Sequence, residues 1–185
     1  MRHEHDAYMT PRPVCDALLE KLGLHVDKVL EPCCGTGNWV RAYKAYHPSA
    51  DIFSADIQDK YVCHESVAHF TGDVLTLSGL APNFDLVLGN PPYKHAEAFV
   101  EKGMACLRPS GHLAFLLRIG FLASRKRYPF FQRWKPSRII SLSGRPSFTG
   151  QGSDRYDYAF IVWPRTRPSL TVWESIETPR KPKLR

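Results

Sequence analysis

Four consecutive residues, Asn90-Pro91-Pro92-Tyr93, have side chains suited to reaction at a planar amino group. Consecutive prolines fix their own backbone and restrain the residue before them, so this loop is predicted to be stiff. The Asn90 amide oxygen and a main-chain carbonyl, expected to be that of Pro91, can accept hydrogen bonds from one NH2 group. Two such acceptors would draw a conjugated nitrogen towards tetrahedral geometry and free its lone pair for attack on a methyl group. The flat ring of Tyr93 would support a base taken out of its stack.

Three acidic residues stand where predicted strands end, and each could bind part of a small cofactor. Glu31 could face a cationic amino group, Asp56 could accept hydrogen bonds from ribose hydroxyls, and Asp73 could accept one from an adenine amino group. Gly35 and Gly37 permit a tight turn and the close approach of a ligand. Because Glu31 would repel a pyrophosphate, the set favours a cationic cofactor over a dinucleotide. The alternative is that each acid only caps a turn or a helix.

Strand and helix patterns alternate along the chain, which predicts a parallel sheet covered by helices on both faces. The predicted strands cover residues 26–30, 52–55, 67–70, 84–88, 113–117, 138–142 and 158–163. The predicted helices follow Pro11 as far as Gly23, and cover residues 38–46, 94–107 and 124–134, with a turn at 109–111. The last two strands can form an antiparallel pair. Ligands of such sheets bind at the carboxyl ends of the strands, where the loops singled out above all lie.

The composition is that of an ordinary soluble domain, with 185 residues, 43% of them hydrophobic and 23% charged. No apolar run reaches the roughly 20 residues that span a bilayer, and the N-terminus lacks a secretory pattern. We therefore expect no membrane association and a cytoplasmic location, which for a phage or prophage protein means the host cytoplasm. The five cysteines have neither disulfide nor zinc-site spacing, so reduced thiols and no metal are expected.

Positive charge is concentrated in two regions of a chain whose formal net charge is +7. Residues 118–145 contain eight Arg and Lys and no acidic residue, and six basic residues follow Trp163 against two acidic ones. Such clustering suits nucleic acid, and Arg125, Lys126 and Arg127 are expected to bind phosphates. The alternative is a solvated helix face and a basic tail. We expect a catalytic domain over residues 1–163 and a basic, partly disordered tail over 164–185.

The Asn90–Tyr93 loop resembles motif IV of the N6-adenine DNA methyltransferases. Tyr8-Met9-Thr10-Pro11 resembles the motif that precedes the first strand in the gamma-ordered group of these enzymes. The run from Glu31 to Gly37 resembles motif I, with Glu where Asp is more usual, and Asp56 and Asp73 match the next two cofactor positions. Residues 145–163 are similar to the closing stretch of small phage-type adenine methyltransferases. The resemblance extends over most of the chain.

This resemblance implies a Rossmann-like class I methyltransferase fold, an α/β fold with a seven-stranded, mostly parallel sheet and one antiparallel strand in the edge region. It implies S-adenosyl-L-methionine as the cofactor and adenine N6 in nucleic acid, with DNA favoured over RNA, as the acceptor. The residues that it assigns to the cofactor are Tyr8, Thr10, Pro11, Glu31, Pro32, Cys33, Gly35, Gly37, Asp56, Ile57, Asp73, Val74 and Asn90. Catalysis falls to Asn90, Pro91, Pro92 and Tyr93, and Phe148 is expected to cover the second face of the flipped base.

Several alternatives stay open. Asn-Pro-Pro-Tyr also serves enzymes that methylate the side-chain amide of glutamine in proteins, RNA adenine could replace DNA adenine, and a nucleic-acid-binding module could keep the fold without turnover. The Tyr-x-Thr-Pro motif and the basic residues favour nucleic acid over protein. Long restriction-modification enzymes carry a separate target-recognition domain, for which this chain has no room. We therefore expect selectivity to come from residues 118–145, from the loop at 150–152 or from a partner, or to be slight.

Overall fold

A computed structural model describes residues 8–148 and 152–179 of the chain. The strands are β1 (Lys28–Glu31), β2 (Asp51–Asp56), β3 (Ala68–Thr71), β4 (Phe84–Gly89), β5 (Leu107–Arg118), β6 (Arg138–Ser143), β7 (Tyr158–Pro164) and β8 (Val172–Glu177). The α-helices are α1 (Arg12–Leu22), α2 (Asn38–Tyr46), α3 (Ala96–Cys106) and α4 (Tyr128–Arg133). Short 3-10 turns cover Tyr93–His95, Ile119–Phe121 and Arg125–Arg127.

All eight strands form one sheet in the order β3-β2-β1-β4-β5-β7-β6-β8. Only β7 of these strands runs antiparallel to its neighbours, β5 and β6, and the remaining described pairs are parallel. The predicted mostly parallel sheet, with one antiparallel strand near its edge, is therefore confirmed. None of the helices in the described part of the chain is long and apolar enough to cross a membrane.

Helices cover both faces of the sheet, because the central strands are apolar on both sides. All six residues of β4 are buried. Leu86 and Leu88 pack in the cluster that includes α1 and α2, whereas Val87 packs in the cluster that includes α3. A strand buried on both faces lacks the alternation of apolar and polar residues that marks a half-exposed strand. The sheet thus has two cores, and its strand ends remain accessible at the edge where the loops emerge.

The eighth strand departs from the prediction of seven. Residues 172–177 belong to the segment predicted as a basic tail, yet they pair with β6 in parallel register, from Arg138↔Val172 to Ser143↔Glu177. Glu174 secures the pairing, since its carboxylate lies 2.7 Å from both Arg138 Nε and Lys21 Nζ. Edge strands keep exposed side chains, so the run resembled a tail in the sequence. The last six residues of that tail, 180–185, lie outside the described residues.

The start of β5 also differs from the prediction, because the turn expected at 109–111 lies inside the strand. Phe84 pairs with Leu107 and Leu86 pairs with His112, so β5 carries extra residues opposite Asp85. Gly111 permits this irregularity, because a Cβ atom there would lie 2.8 Å from the Phe84 carbonyl oxygen.

A buried carboxylate fastens the irregular region to its neighbours. Asp85 is 6% exposed and accepts a hydrogen bond of 2.9 Å from the Lys28 main-chain nitrogen. It also forms an ion pair of 2.5 Å with Arg108 Nε. Since β1, β4 and β5 all meet at this side chain, it holds the amino ends of the strands that carry the site at their carboxyl ends.

Replacement of Asp85 by Ala should destabilise the protein, because the Lys28 N–H group and the Arg108 guanidinium would lose their acceptor. We expect Asp85→Ala to lower the free energy of unfolding by about 2 kcal/mol, measured by urea denaturation. Asp51→Ala, at an exposed position on β2, is the matched control and should change it by less than about 0.5 kcal/mol. Equal effects of the two substitutions would refute this role for Asp85.

Candidate active site

The carboxyl ends of β1 and β4 meet at the centre of the sheet. Glu31 is the last residue of β1 and Gly89 the last of β4. Gly89 has a φ of 152°, and a Cβ atom there would lie 2.6 Å from Glu31 Oε1 and 3.7 Å from Cys33 Sγ. A glycine is therefore required at this point, and Glu31 and Cys33 lie directly beside the residue that precedes Asn90. Pro32, between them, is buried.

Glu31 is a buried carboxyl group without a partner. It is 1% exposed, and neither of its oxygens forms a hydrogen bond in the described part of the chain. Burial, reinforced by the negative charge of Asp56, raises the pKa of Glu31 well above its usual range. Buried polar atoms are almost always paired, so an unpaired carboxyl group indicates the place of a missing partner. A cationic group with N–H donors would satisfy both oxygens.

The loop between β1 and α2 is held by Asp56. Asp56 Oδ2 accepts a hydrogen bond of 2.8 Å from the Gly35 nitrogen, and Oδ1 accepts one of 2.9 Å from the Gln58 nitrogen. Gly35 and Gly37 have positive φ angles of 50° and 78°, which this tight turn requires. Asp56 therefore has the turn-forming role given above as the alternative. Each carboxylate oxygen can accept a second hydrogen bond, so a ligand role is compatible with it.

Asp73 lies next along the same edge of the sheet. Its Oδ1 atom accepts a hydrogen bond of 2.9 Å from the Leu75 nitrogen, which is again turn chemistry. The preceding Gly72 nitrogen donates to the Asp56 carbonyl oxygen at 2.8 Å, so the two predicted cofactor turns are joined. Ile57, which follows Asp56, is 55% exposed, whereas Val74 is buried.

The segment before α1 crosses the glycine loop. Met9 lies so close to this loop that a Cβ atom on Gly35 would approach its sulfur to 2.4 Å. Thr10 is buried, and its polar atoms are paired with α2: its hydroxyl accepts from Trp39 Nε1 at 3.3 Å and its carbonyl from Asn38 Nδ2 at 2.8 Å.

Pro11 is the N-cap of α1, and its carbonyl accepts the first main-chain hydrogen bonds of the helix, from the Val14 and Cys15 nitrogens. Thr10 and Pro11 thus fix the position of Tyr8. The hydroxyl and carbonyl oxygens of Thr10 are already hydrogen-bonded to protein side chains.

Asn90 has one end of its amide fixed and the other open. Its Nδ2 atom donates a hydrogen bond of 2.8 Å to the Tyr8 carbonyl oxygen, whereas Oδ1 is buried and has no partner among the described residues. The Pro91 carbonyl likewise accepts no hydrogen bond within residues 8–148 and 152–179. The next carbonyl, that of Pro92, is occupied by the His95 nitrogen at 2.9 Å. The loop therefore presents two free acceptors, on the residues predicted from the sequence.

Tyr93 lies in a cluster of aromatic rings. The ring of Tyr8 stacks on it, with centroids 5.8 Å apart and an interplanar angle of 28°, and the ring of Tyr158 lies 5.7 Å away. The hydroxyl groups of Tyr93 and Tyr158 are both buried without a partner, and burial raises the pKa of the Tyr93 hydroxyl. Phe148 stands edge-on to Tyr8 at 5.7 Å and to Tyr158 at 5.0 Å. Phe148 thus belongs to the cluster, but Tyr8 is the ring stacked on Tyr93.

Sequence reasoning missed Arg118 and Tyr158 as members of this site. Arg118 is the last residue of β5 and Tyr158 the first of β7, and the antiparallel register pairs them directly. The Arg118 guanidinium lies over the Tyr93 ring, with Cζ 4.4 Å from its centroid. The sequence showed only that each residue stands at the end of a predicted strand. It did not show that these two strand ends lie side by side.

The basic stretch is less positively charged in the fold than in the sequence, because acids from other elements pair with it. Arg127 lies 2.7 Å from a Glu97 oxygen, whereas Arg125 and Lys126 are exposed. The further ion pairs in this stretch join Arg133 to Glu101, Arg138 to Glu174 and Arg145 to Asp157. Half of the eight predicted cations are therefore matched by carboxylates.

The similarity of this chain to known proteins covers more of the chain in fold than in sequence. No model of a known protein family matches the chain. A structure assigned to the class I S-adenosylmethionine-dependent methyltransferases, from Listeria monocytogenes, superposes with a TM-score of 0.69 at 16% identity, over 95% of this chain and 67% of that one. The chain has the class I methyltransferase fold. The fold predicted from the sequence is thus confirmed, with an additional edge strand.

Two further similarities are to a restriction-enzyme modification subunit and to a viral methyltransferase. A modification subunit assigned to a type I restriction enzyme of Vibrio vulnificus YJ016 superposes with a TM-score of 0.70 at 17% identity, over 97% of this chain and 48% of that chain. The type II methyltransferase M.CvrRI of Paramecium bursaria Chlorella virus XZ-6E is 28% identical over 100 residues. That match covers 50% of this chain and 25% of the relative, so the chain spans a small part of that protein. The predicted resemblance to DNA methyltransferases is confirmed.

The raised pKa of Glu31 has a consequence for stability. A carboxyl group whose pKa is raised by folding stabilises the protein fully below its unfolded pKa, and this contribution is lost as pH rises through the folded pKa. The free energy of unfolding of the free protein should therefore fall from pH 5 to pH 8 relative to that of Glu31→Gln. Urea denaturation across this range measures the difference, with Glu20→Gln at an exposed position on α1 as the control for charge loss. A difference that stays constant with pH would contradict the assignment.

Proposed function

We propose that the chain transfers the methyl group of S-adenosylmethionine to the N6 amino group of adenine in nucleic acid, with DNA as the favoured substrate. One observation carries the proposal: the buried Asn90 Oδ1 acceptor has no partner and lies at the carboxyl end of β4, beside the unpaired Glu31 carboxyl group. An open hydrogen-bond acceptor and an unpaired carboxyl group thus lie together where ligands bind in this class of sheet.

The residues around Glu31 fit the cofactor. S-Adenosylmethionine carries an α-amino cation, which would supply the partner that both Glu31 oxygens lack. The turn at Gly35 and Gly37 brings main-chain atoms close to a ligand, and Asp56 and Asp73 retain acceptor capacity for ribose hydroxyls and the adenine amino group. When bound, the cofactor supplies an electrophilic methyl group on a sulfonium.

The Asn90–Tyr93 loop prepares the acceptor nitrogen. Asn90 Oδ1 and the Pro91 carbonyl oxygen would accept the two hydrogens of the amino group and localise its lone pair on nitrogen. Because the Asn90 Nδ2 atom is committed to the Tyr8 carbonyl, the acceptor end of the amide is already oriented, and no reorganisation is needed during the reaction. The nitrogen becomes strongly acidic once alkylated, so no dedicated strong base is required to remove its proton.

The surroundings of Tyr93 favour a nucleobase over a glutamine amide. The chemistry of the loop suits any planar NH2 group, but the rings of Tyr8, Tyr93, Phe148 and Tyr158 form an aromatic cluster around it. Aromatic rings stack on every nucleobase, whereas an amide needs no such surface. The exposed Arg125 and Lys126 provide positive charge for a phosphate backbone.

The similarities to DNA methyltransferases agree with DNA as the substrate. One relative is a type II methyltransferase and another is a modification subunit of a type I restriction enzyme. A nucleic-acid-binding module without turnover would have no use for an oriented, unpaired Asn90 oxygen beside an unpaired carboxyl group, so we favour an enzyme.

The substrate is tested by methyl transfer from labelled S-adenosylmethionine to double-stranded DNA, single-stranded DNA, RNA and protein extract. We expect label in DNA, released as N6-methyladenine on nucleoside analysis. Label only in RNA or only in protein would replace the proposed acceptor by the corresponding alternative. Calorimetric titration with S-adenosylmethionine gives a separate readout, in which Glu31→Gln should weaken binding by about tenfold or more. Absence of cofactor binding would favour a non-enzymatic module.

Removal of the Asn90 acceptor should stop the chemical step. We expect Asn90→Ala to lower kcat by about 100-fold or more, as for loss of one oriented hydrogen-bonding group in a water-excluded site, with S-adenosylmethionine affinity largely unchanged. Asn83→Ala, at an exposed position just before the amino end of β4, is the matched control and should retain activity. Substantial activity in Asn90→Ala would mean that another loop performs the reaction.

A further inference from the structure

A cavity of about 400 Å³ lies beside Tyr93, on elements that the cofactor site does not use. It is formed where β5 ends and β7 begins, next to the start of α3. The residues that define its chemistry are Tyr93, Arg118, Arg127, Arg155, Tyr156 and Asp157. Three arginines at one cavity, close to the loop that would hold the target base, point to an anionic ligand.

Arg118 is held in this cavity by aromatic rings. Its Cζ atom lies 3.9 Å from the centroid of Tyr156 and 4.4 Å from that of Tyr93, with the guanidinium over both rings. Stacking of this kind fixes the plane of a guanidinium without using its N–H groups. Arg118 is thus oriented before any ligand arrives, and binding would cost less side-chain entropy than for a free surface arginine.

The Nε–H group of Arg118 has no acceptor among the described residues, and the Tyr158 hydroxyl lies beside the guanidinium. Nε is buried without a hydrogen bond, and none of the residues 8–148 and 152–179 places a carboxylate within ion-pair distance of its guanidinium. Among its neighbours, Arg127 is paired with Glu97, and the acidic residue at the cavity, Asp157, is paired with Arg145 at 2.9 Å. Arg118 is therefore a half-buried, oriented cation whose buried Nε–H group lacks an acceptor among the described residues.

We propose that this cavity binds a phosphate group of the target strand and that Arg118 is its principal ligand. A phosphate oxygen pair matches the fork of a guanidinium, and the positive cavity would replace the counterions of that phosphate. The assignment rests on the proposed function, because it is the strand whose base stacks at Tyr93 that brings a phosphate here. Arg118 is a positioning residue, which fixes the backbone beside the reacting base and carries no sequence information.

The test is the salt dependence of binding, measured by fluorescence anisotropy with a labelled, mixed-sequence, single-stranded oligodeoxynucleotide. Arg118→Gln should weaken binding about tenfold at low salt. It should also reduce the slope of log K against log salt concentration by about 0.7, the value for one phosphate contact to a single strand. Arg118→Lys should restore most of the slope, because the charge remains, but only part of the affinity, because the planar fork is lost.

Arg165→Gln is the control for charge loss. Arg165 is exposed and follows β7, whose end pairs with His112, far from the Arg118↔Tyr158 pair at the other end of β5. Arg165→Gln should therefore leave the slope of log K against log salt concentration nearly unchanged. A slope in Arg118→Gln equal to that of Arg165→Gln would overturn the proposal, and so would a loss of thermal stability or cofactor affinity in Arg118→Gln, since Arg118 would then be structural. This assay requires neither cofactor nor turnover, so its outcome is separate from that of the methyl-transfer assay.

Discussion

The parallel pairing of β1 with β4 is the contact on which the candidate site depends. The register Leu30↔Val87 lets the two strands end side by side, so Glu31 and Gly89 come into contact across the sheet. A slip by one residue would move Leu86 and Val87 into the opposite cores, where the space is already packed for other side chains. The anionic site after β1 and the acceptor loop after β4 are therefore joined by the apolar cores and not by direct hydrogen bonds between them.

This arrangement places several unpaired polar atoms in one buried region: the Glu31 carboxyl oxygens, Asn90 Oδ1, Arg118 Nε and the hydroxyls of Tyr93 and Tyr158. Each unpaired buried group costs about 1–3 kcal/mol, so the site is a net burden on the free protein. The surrounding scaffold offsets this cost by burying all of β4, nearly all of β7 and the second half of β5. Bound ligands would supply hydrogen-bond partners for these unpaired groups. In an ordinary core, by contrast, buried polar groups are paired within the protein.

Sequence patterns predicted those parts of the structure that local physics decides. Helix α2 has the predicted bounds, residues 38–46, because a glycine turn precedes it and His47-Pro48 ends it. Strand β4 was predictable as an apolar run opening into a Pro-containing loop. Strand β8 was not, because its stability comes from pairing with β6 and from Glu174, which accepts ion pairs from two other elements. The Arg118–Tyr158 contact was equally hidden, since it joins residues that meet only through antiparallel pairing.

The charge distribution shows why spatial pairing, and not sequence density, decides which cations are available to a polyanion. Residues 118–145 carry eight cations and no acid in sequence, but α3 supplies Glu97 and Glu101 to the same surface. Four of these cations have no carboxylate partner in the described structure: Arg118, half-buried beside Tyr93, the exposed Arg125 and Lys126, and Lys135, which donates to the Ser169 carbonyl. Coulomb attraction between exposed charges is screened within about 8 Å at physiological salt, so a cation acts mainly on the phosphate that it contacts. A small set of unpaired cations around the aromatic cluster would therefore direct a strand to Asn90 more effectively than a uniformly basic surface.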